Sequence, residues 1–393
     1  MSLPITRISR LTAMLLGGLL AAQVHAALPS GYSFAALGSL DPSSTSGHSV
    51  AYGINVLGQV VGQANGNVLD PQAASRNLAV AWSADGVIRS LGAAGGSDSA
   101  ATDINDRGQI VGTVVPDFSA PGVSAVVWQS ATSEAVVLAR RPDSLTSEAT
   151  AINNAGVIVG SQAGASFPKQ MTVWDANNLS AQTTLGVGAL TGVSHTGVIV
   201  GNSIVPGGSS DWQAYVNANG VDVSPKLASA AVVNGVNDHG QIIGQATNGV
   251  SLGLGNFPFM AKDGVVTQLG TLGGEFTSPN AINNLGQVVG VSRRAGSGAR
   301  YAALWDGAQI IDLNTYLDPS LAAEGWLLQE AYDINDSGVI VGEASKSVEF
   351  NGGTVFITRA FVLTPVPEAS TVIMMSLGIL VIAAVRMRAV AKA

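Results

Sequence analysis

Few side chains here are of a type to do chemistry. The chain has four histidines, His25, His48, His195 and His239, and no cysteine. Without cysteine there is no disulfide framework, no thiolate metal site and no Cys nucleophile. His195 and His239 occupy variable turn positions of two consecutive repeats, which places them at equivalent points of neighbouring units. A metal site there is one reading; two solvent-exposed turn residues is the preferred one. HExxH, paired-His spacing and GxSxG do not occur. The acids recur with the repeat, as Asp103 and Asp106, Asp238, and Asp333 and Asp336. Asp and Asn beside a Gly turn can supply the oxygen ligands that Ca²⁺ takes. The same residues are what such turns need for their own hydrogen bonds. Each copy offers only one or two carboxylates, without EF-hand spacing, so no metal and no cofactor is expected. A glycosidase pair of carboxylates is a further option, but repeated acids are equivalent by symmetry and an active site usually breaks symmetry. The one dense basic-aromatic stretch, Arg293, Arg294, Arg300 and Tyr301, reads as loop decoration.

The elements that hold these residues come from a phrase written seven times. Its copies are GINVLGQVVG (Gly53 to Gly62), DINDRGQIVG (Asp103 to Gly112), AINNAGVIVG (Ala151 to Gly160), GVSHTGVIVG (Gly192 to Gly201), GVNDHGQIIG (Gly235 to Gly244), AINNLGQVVG (Ala281 to Gly290) and DINDSGVIVG (Asp333 to Gly342). Each reads as a hairpin. Asn, two variable residues and Gly form a type I turn closed by a left-handed residue. The Asn side chain accepts from the backbone two residues on, and Gly takes the positive φ. The turn pairs are Asn55/Gly58, Asn105/Gly108, Asn153/Gly156, Asn237/Gly240, Asn283/Gly286 and Asn335/Gly338; the fourth copy has Ser194 in place of Asn. The Ile/Val pair that follows suits a strand buried on both faces, and the closing Gly marks a bulge or a close backbone approach.

Two further strands recur between phrases. One carries an aromatic near its end, as in Leu78 to Trp82, Ala125 to Trp128, Met171 to Trp174 and Tyr301 to Trp305. The other ends in Leu-Gly, as at Leu91-Gly92 and Leu269-Gly270. The turn glycines recur every 41 to 52 residues. A period in the forties with four short strands predicts an all-β fold, a β-propeller of seven four-stranded blades. The chain opens with a lone last strand, Tyr32 to Leu40, and ends with a third strand, Phe356 to Leu363, whose fourth is missing. The N-terminal strand is therefore expected to close the ring. An insertion between Leu313 and Leu328 carries Trp326, read as covering a blade edge rather than as a ligand platform.

The ends speak of address. Arg7 and Arg10, an apolar run from Leu11 to Ala22, and Val24-His25-Ala26 read as a signal peptide over residues 1–26, cleaved after Ala26. The propeller is expected over 27–364. Residues 365–393 hold Val366-Pro367-Glu368, an apolar run over about 371–385 that reads as a transmembrane helix, and Arg386, Arg388 and Lys392. Charged residues are 11% of the chain, which suits export. Five of the 18 basic residues lie in the two end segments, so the domain between them carries a net charge of about −12. Such a charge excludes nucleic acid, whose phosphates need Lys/Arg clusters.

Val366-Pro367-Glu368-Ala369-Ser370, the short apolar run and Arg386 resemble the PEP-CTERM sorting signal of Gram-negative bacteria, with Ala369 where a second proline is usual. That resemblance implies processing by an exosortase at the inner membrane and delivery to the cell surface or the extracellular polymer matrix. Residues 32 to 363 resemble the HAF extracellular repeats, best at Leu269 to Gly274, Ala281 to Gly290 and Arg359-Ala360-Phe361. That family implies secretion and no established activity. The expected function is a non-enzymatic surface module that binds extracellular polysaccharide or protein, or serves structurally. The alternative is a polysaccharide lyase or glycoside hydrolase on the same scaffold, marked by a non-repeated cluster of Tyr, Arg, His or paired acids at one mouth of the channel.

Overall fold

The computed structural model describes residues 31–40, 47–65, 76–116, 122–204, 212–218, 221–222, 231–247, 256–307, 309–350 and 353–366. The expected cleavage point Ala26, the sorting residues Pro367, Glu368 and Arg386, and the apolar run 371–385 lie outside them. Among the described residues no helix is long and apolar enough to cross a membrane.

The first unit shows how the repeat folds. Strands Ser49–Ile54, Val60–Asn65, Asn77–Trp82 and Ile88–Ser90 pair in sequence order, each antiparallel to the next. Adjacent side chains on a strand point to opposite faces, so the phrase's apolar pair serves two cores. Val60 packs with Trp82, Leu37 and Val341, towards the preceding unit. Val61 packs with Ile104, Ile110 and Trp128, towards the following one. This double burial is why the pair reads as continuous rather than alternating. The closing Gly sits where strands nearly touch: a Cβ on Gly62 would lie 2.0 Å from the Val50 carbonyl oxygen, and one on Gly160 would lie 1.9 Å from that of Glu148.

The strands form six hydrogen-bonded sheets, five of four strands and one of seven. Seven separate four-stranded blades are therefore not what forms. The third and fourth copies of the phrase share one sheet, because Asn178–Val193 is a single 16-residue strand. Its first part pairs with Gln170–Asp175, and its second part, from Gly188, pairs with Val198–Ile204. Gly186 and Gly188 lie at φ 136° and 142°. Glycine adopts such angles without Cβ strain, so the strand passes from one unit to the next where other units use a loop.

The two ends of the domain meet in one sheet. Strand Tyr32–Ala36 pairs antiparallel with Gly353–Pro365, Phe34 lying opposite Leu363. The insertion packs over this seam. It contains a 3-10 turn, Leu313–Tyr316, and a short helix, Pro319–Ala323. Leu313 and Leu317 share a cluster with Tyr32, and Trp326 packs against it. The rings of Tyr32 and Tyr316 are 5.1 Å apart. Lys346 covers Trp326 with its ammonium 4.9 Å from the ring. The molecule is thus an all-β propeller whose phrase turns converge on one axis.

Candidate functional site: the axial channel

Each turn asparagine works in two directions. Asn55 Oδ1 accepts from the backbone N–H groups of Leu57 at 3.1 Å and Gln59 at 3.0 Å. The Gly58 N–H donates to the Asn55 carbonyl, with Gly58 at φ 76°. Asn105, Asn153, Asn237, Asn283 and Asn335 repeat this pattern, with Gly108, Gly156, Gly240, Gly286 and Gly338 at positive φ. The amide nitrogen then leaves its own turn and donates to the next copy. Asn55 reaches the Asn105 carbonyl at 3.2 Å, Asn105 reaches Asn153 at 3.0 Å, and Asn153 reaches Ser194 at 3.0 Å. Asn237 reaches Asn283 at 2.9 Å, Asn283 reaches Asn335 at 3.1 Å, and Asn335 returns to Asn55 at 3.0 Å. This ladder circles the axis with a gap only at Ser194, which has no amide to donate.

The position after Asn makes a second ring. Its side chain accepts the matching backbone N–H of the preceding copy: Val56 N–H donates to Asp106 at 3.0 Å, Asp106 to Asn154 at 2.8 Å, and Asn154 to His195 Nδ1 at 3.3 Å. His195 N–H donates to Asp238 at 2.7 Å, Asp238 to Asn284 at 2.9 Å, and Asn284 to Asp336 at 2.8 Å. Asp238, not His239, is therefore the counterpart of His195, and the two histidines are not equivalent. His195 Nδ1 accepts, so its proton sits on Nε2, 3.7 Å from Asp106 Oδ2.

Deeper in the channel the symmetry breaks. The phrase opens with Asp only at Asp103 and Asp333. Asp333 accepts from Ile54 N–H at 2.9 Å, and Asp103 from Ile152 N–H at 2.8 Å, each again a neighbouring copy. Gly53 lies between them: a Cβ there would be 3.2 Å from Asp103 Cα. Burial disfavours both charges. It pushes Asp103 up to about 8, with the Asp333 charge adding to the rise, and it pushes Asp333 up to about 6.

All seven copies carry a β-bulge just before the phrase, and the bulged residue lines the channel. Thr102, Thr150 and Thr191 each donate to a carbonyl of the next copy at 2.9 Å. Asn234 does so at 2.6 Å and Asn280 at 3.0 Å. The remaining two bulge residues are Tyr52 and Tyr332, whose rings meet edge to face at 5.2 Å. Burial pushes the Tyr52 phenol up to about 12, and the Tyr332 phenol up as well; the Tyr332 hydroxyl bonds to Glu343. Residues from every copy enclose an axial cavity of about 250 Å³. It shares Tyr52, Thr102, Asn234, Asn280 and Tyr332 with a second cavity of about 450 Å³ that Ala100 also lines.

The basic-aromatic stretch is built into the framework rather than left as a loose loop. Arg293 covers Phe276, Arg294 covers Tyr301 and pairs with Asp312, and Arg300 pairs with buried Glu330. Of the sorting residues, only Val366 is described; it is exposed and its N–H donates to the Gly31 carbonyl at 2.9 Å. Among the described residues no group of three or more His, Asp or Glu is placed to hold a metal ion. Sequence reasoning missed the inter-copy ladder and the tyrosine pair. The signal for the ladder was that six copies carry Asn and none Asp at the turn position, although Asp caps such a turn equally well and only Asn has a donor to spare.

No family model matches the sequence, and no curated protein matches it. The fold is similar to that of solved propellers. The β-propeller domain of the Trilobed protease from Pyrococcus furiosus, described as having an open velcro topology, aligns over 81% of this chain and 94% of its own, at 12% identity and a TM-score of 0.54. TolB from Acinetobacter baumannii aligns over 65% of this chain and 63% of its own, at 13% identity and a TM-score of 0.41. A prolyl endopeptidase aligns over 80% and 47%, at 11% identity and a TM-score of 0.44. Likeness at such identity shows a β-propeller and nothing of activity.

Proposed function

We propose that this chain is an exported propeller acting as a non-catalytic binding or structural module of the cell surface or extracellular matrix. Residues 1–26 direct export. Residues 365–393 sort the protein, with the run about 371–385 held in the inner membrane until exosortase-type machinery acts. Extracellular polysaccharide or a surface protein is the partner class. The observation that carries the non-catalytic reading is how the channel acids are employed. Asp103, Asp106, Asp238, Asp333 and Asp336 all accept backbone N–H groups of a neighbouring copy. Carboxylates tied into a framework in this way hold the ring's shape, whereas a general base must be free to reach a substrate proton.

One observation favours the polysaccharide-processing alternative. Asp103 and Asp333 flank Gly53 with their ionisations pushed to different pH ranges, the pattern that separates an acid from a base. Incubating the full chain with neutral and acidic polysaccharides distinguishes the two readings. Binding without new reducing ends or unsaturated products is expected. Turnover that disappears in Asp103→Asn or Asp333→Asn would overturn the module reading in favour of the enzyme. The address has its own check: stopping the chain after Thr364 should move it from the membrane fraction to the soluble one, and retention in the membrane would refute the tail assignment.

A further inference from the structure

We propose that the channel mouth framed by Tyr52 and Tyr332 is a binding site for a neutral sugar unit of a glycan. The proposal rests on the binding-module reading above and names its site and ligand class. The cavity there, about 450 Å³, falls in the range of small-ligand pockets. Its six lining residues are all uncharged: two phenols, two carboxamides, one hydroxyl and one methyl. That set matches a pyranose, which presents C–H faces to aromatic rings and hydroxyl groups to polar side chains.

The polar groups are already oriented. Thr102, Asn234 and Asn280 each donate to a carbonyl of the next copy, and Asn280 also donates to the Glu330 carboxylate at 2.9 Å. The Thr102 and Asn234 oxygens are thereby left as acceptors, Asn280 Oδ1 keeps a lone pair beside the Ser278 hydroxyl at 3.5 Å, and all are held in place before any ligand arrives to donate its sugar hydroxyls. Such preorganisation reduces the ordering cost of binding.

The tyrosines are the places where the repeat departs from its own rule. Five of the seven bulge positions carry Thr or Asn and tie one copy to the next. At Tyr52 and Tyr332 the ring places an aromatic corner instead, the two rings 5.2 Å apart. Both lie in adjacent copies, beside Asp103 and Asp333, so the irregular residues share one wall of the channel. Among the described residues no lysine or arginine lines either cavity, and Asp103, Asp106, Asp238, Asp333 and Asp336 line the axial one. Just outside the lining, Glu330 bonds to Asn280 and pairs with Arg300, and Glu343 bonds to the Tyr332 hydroxyl, so acids outnumber the one nearby cation and the site favours neutral sugars over a uronate.

Calorimetry on the full chain in detergent, with cello-, malto- and chito-oligosaccharides and an oligogalacturonate as probes, tests the site. At least one neutral series should bind, and the oligogalacturonate should bind about tenfold more weakly or not at all. Tyr52→Ala and Tyr332→Ala should each weaken neutral binding about tenfold, while Tyr52→Phe and Tyr332→Phe keep it, because stacking survives loss of the hydroxyl. Should an alanine variant not fold, Tyr52→Leu and Tyr332→Leu keep bulk but remove the π face, and the same loss is expected. Neutral binding unchanged in folded Ala or Leu variants overturns the site and leaves the module reading standing. Equal or tighter oligogalacturonate binding overturns the neutral class. No binding by any oligosaccharide removes the glycan-binding reading and this site with it.

Discussion

Asparagine at the third position of six of the seven copies combines two tasks within one side chain. Its oxygen closes the local turn and its nitrogen reaches the next copy, both from a buried position. Serine can do only the first. Ser194 accepts from Val198 N–H at 3.0 Å, and the link onwards is left to Thr196, whose hydroxyl is 3.5 Å from the Asp238 carbonyl. Ser194→Asn should therefore complete the ladder, with an expected gain of about 1 kcal/mol in unfolding free energy. Asn283→Asp should act in the opposite direction. It keeps the turn acceptor but sets a carboxylate against the Asn335 carbonyl, which Asn283 now meets as a donor at 3.1 Å. Urea titration of both variants checks the pair of expectations, and a serine variant no more stable than the parent would refute the ladder's energetic role. The turn was legible in the sequence because it needs only four consecutive residues. The ladder was not, because its partners lie 41 to 52 residues apart, and 280 apart at the closing rung, and meet only once neighbouring copies have packed around the axis.

Three of the four strands that carry tryptophan near their end are bolted to the preceding unit. Indole N–H groups of Trp82, Trp174 and Trp305 donate to the carbonyls of Gly38 at 3.1 Å, Ala139 at 2.7 Å and Gly270 at 2.8 Å. Those carbonyls follow the buried leucines Leu37, Leu138 and Leu269, so Leu37-Gly38, Leu138-Ala139 and Leu269-Gly270 each serve as anchor and acceptor together. Trp128 is the exception. Its indole nitrogen is buried without a partner, and Gly92, which follows Leu91, stands at φ 75°. A buried unpaired donor costs free energy that its removal recovers. Trp128→Phe should thus be the milder of two matched substitutions, Trp305→Phe destabilising by about 1 kcal/mol more because it leaves the Gly270 carbonyl unsatisfied. Equal thermal shifts in the two variants would contradict this. At this scale the strand order could be read from the aromatic and Leu-Gly spacing. The single strand Asn178–Val193 could not, since nothing in the residue types marks that the chain stays extended through Gly186 and Gly188, at φ 136° and 142°.

Closure of the whole ring rests on two independent devices. One is axial: the Asn335 amide meets the Asn55 carbonyl, and Asp333 accepts from Ile54, so last and first copies are tied at the centre. The other is peripheral: Tyr32–Ala36 covers the edge of Gly353–Pro365, and Leu37 N–H continues the pairing onto the Ala360 carbonyl. The axial bonds are few and lie near the centre, where splaying of the rim would strain them little. The peripheral strand buries Tyr32 and Leu37 almost completely and bonds along its whole length, so it should carry most of the resistance to opening. Burial of two such side chains contributes about 4 kcal/mol. It also covers the Phe361 to Pro365 part of the last strand's edge, which unpaired would invite another chain. Deleting residues 31–37 while keeping the N-terminal 1–26 should lower the unfolding midpoint and produce concentration-dependent self-association, read by sedimentation in the detergent that solubilises the parent. Restoring the strand in trans as a peptide of residues 31–37 should reverse the association. A deletion variant that keeps the parent's midpoint and size would mean that the axial ladder alone holds the ring shut, and that the N-terminal strand is only a cover.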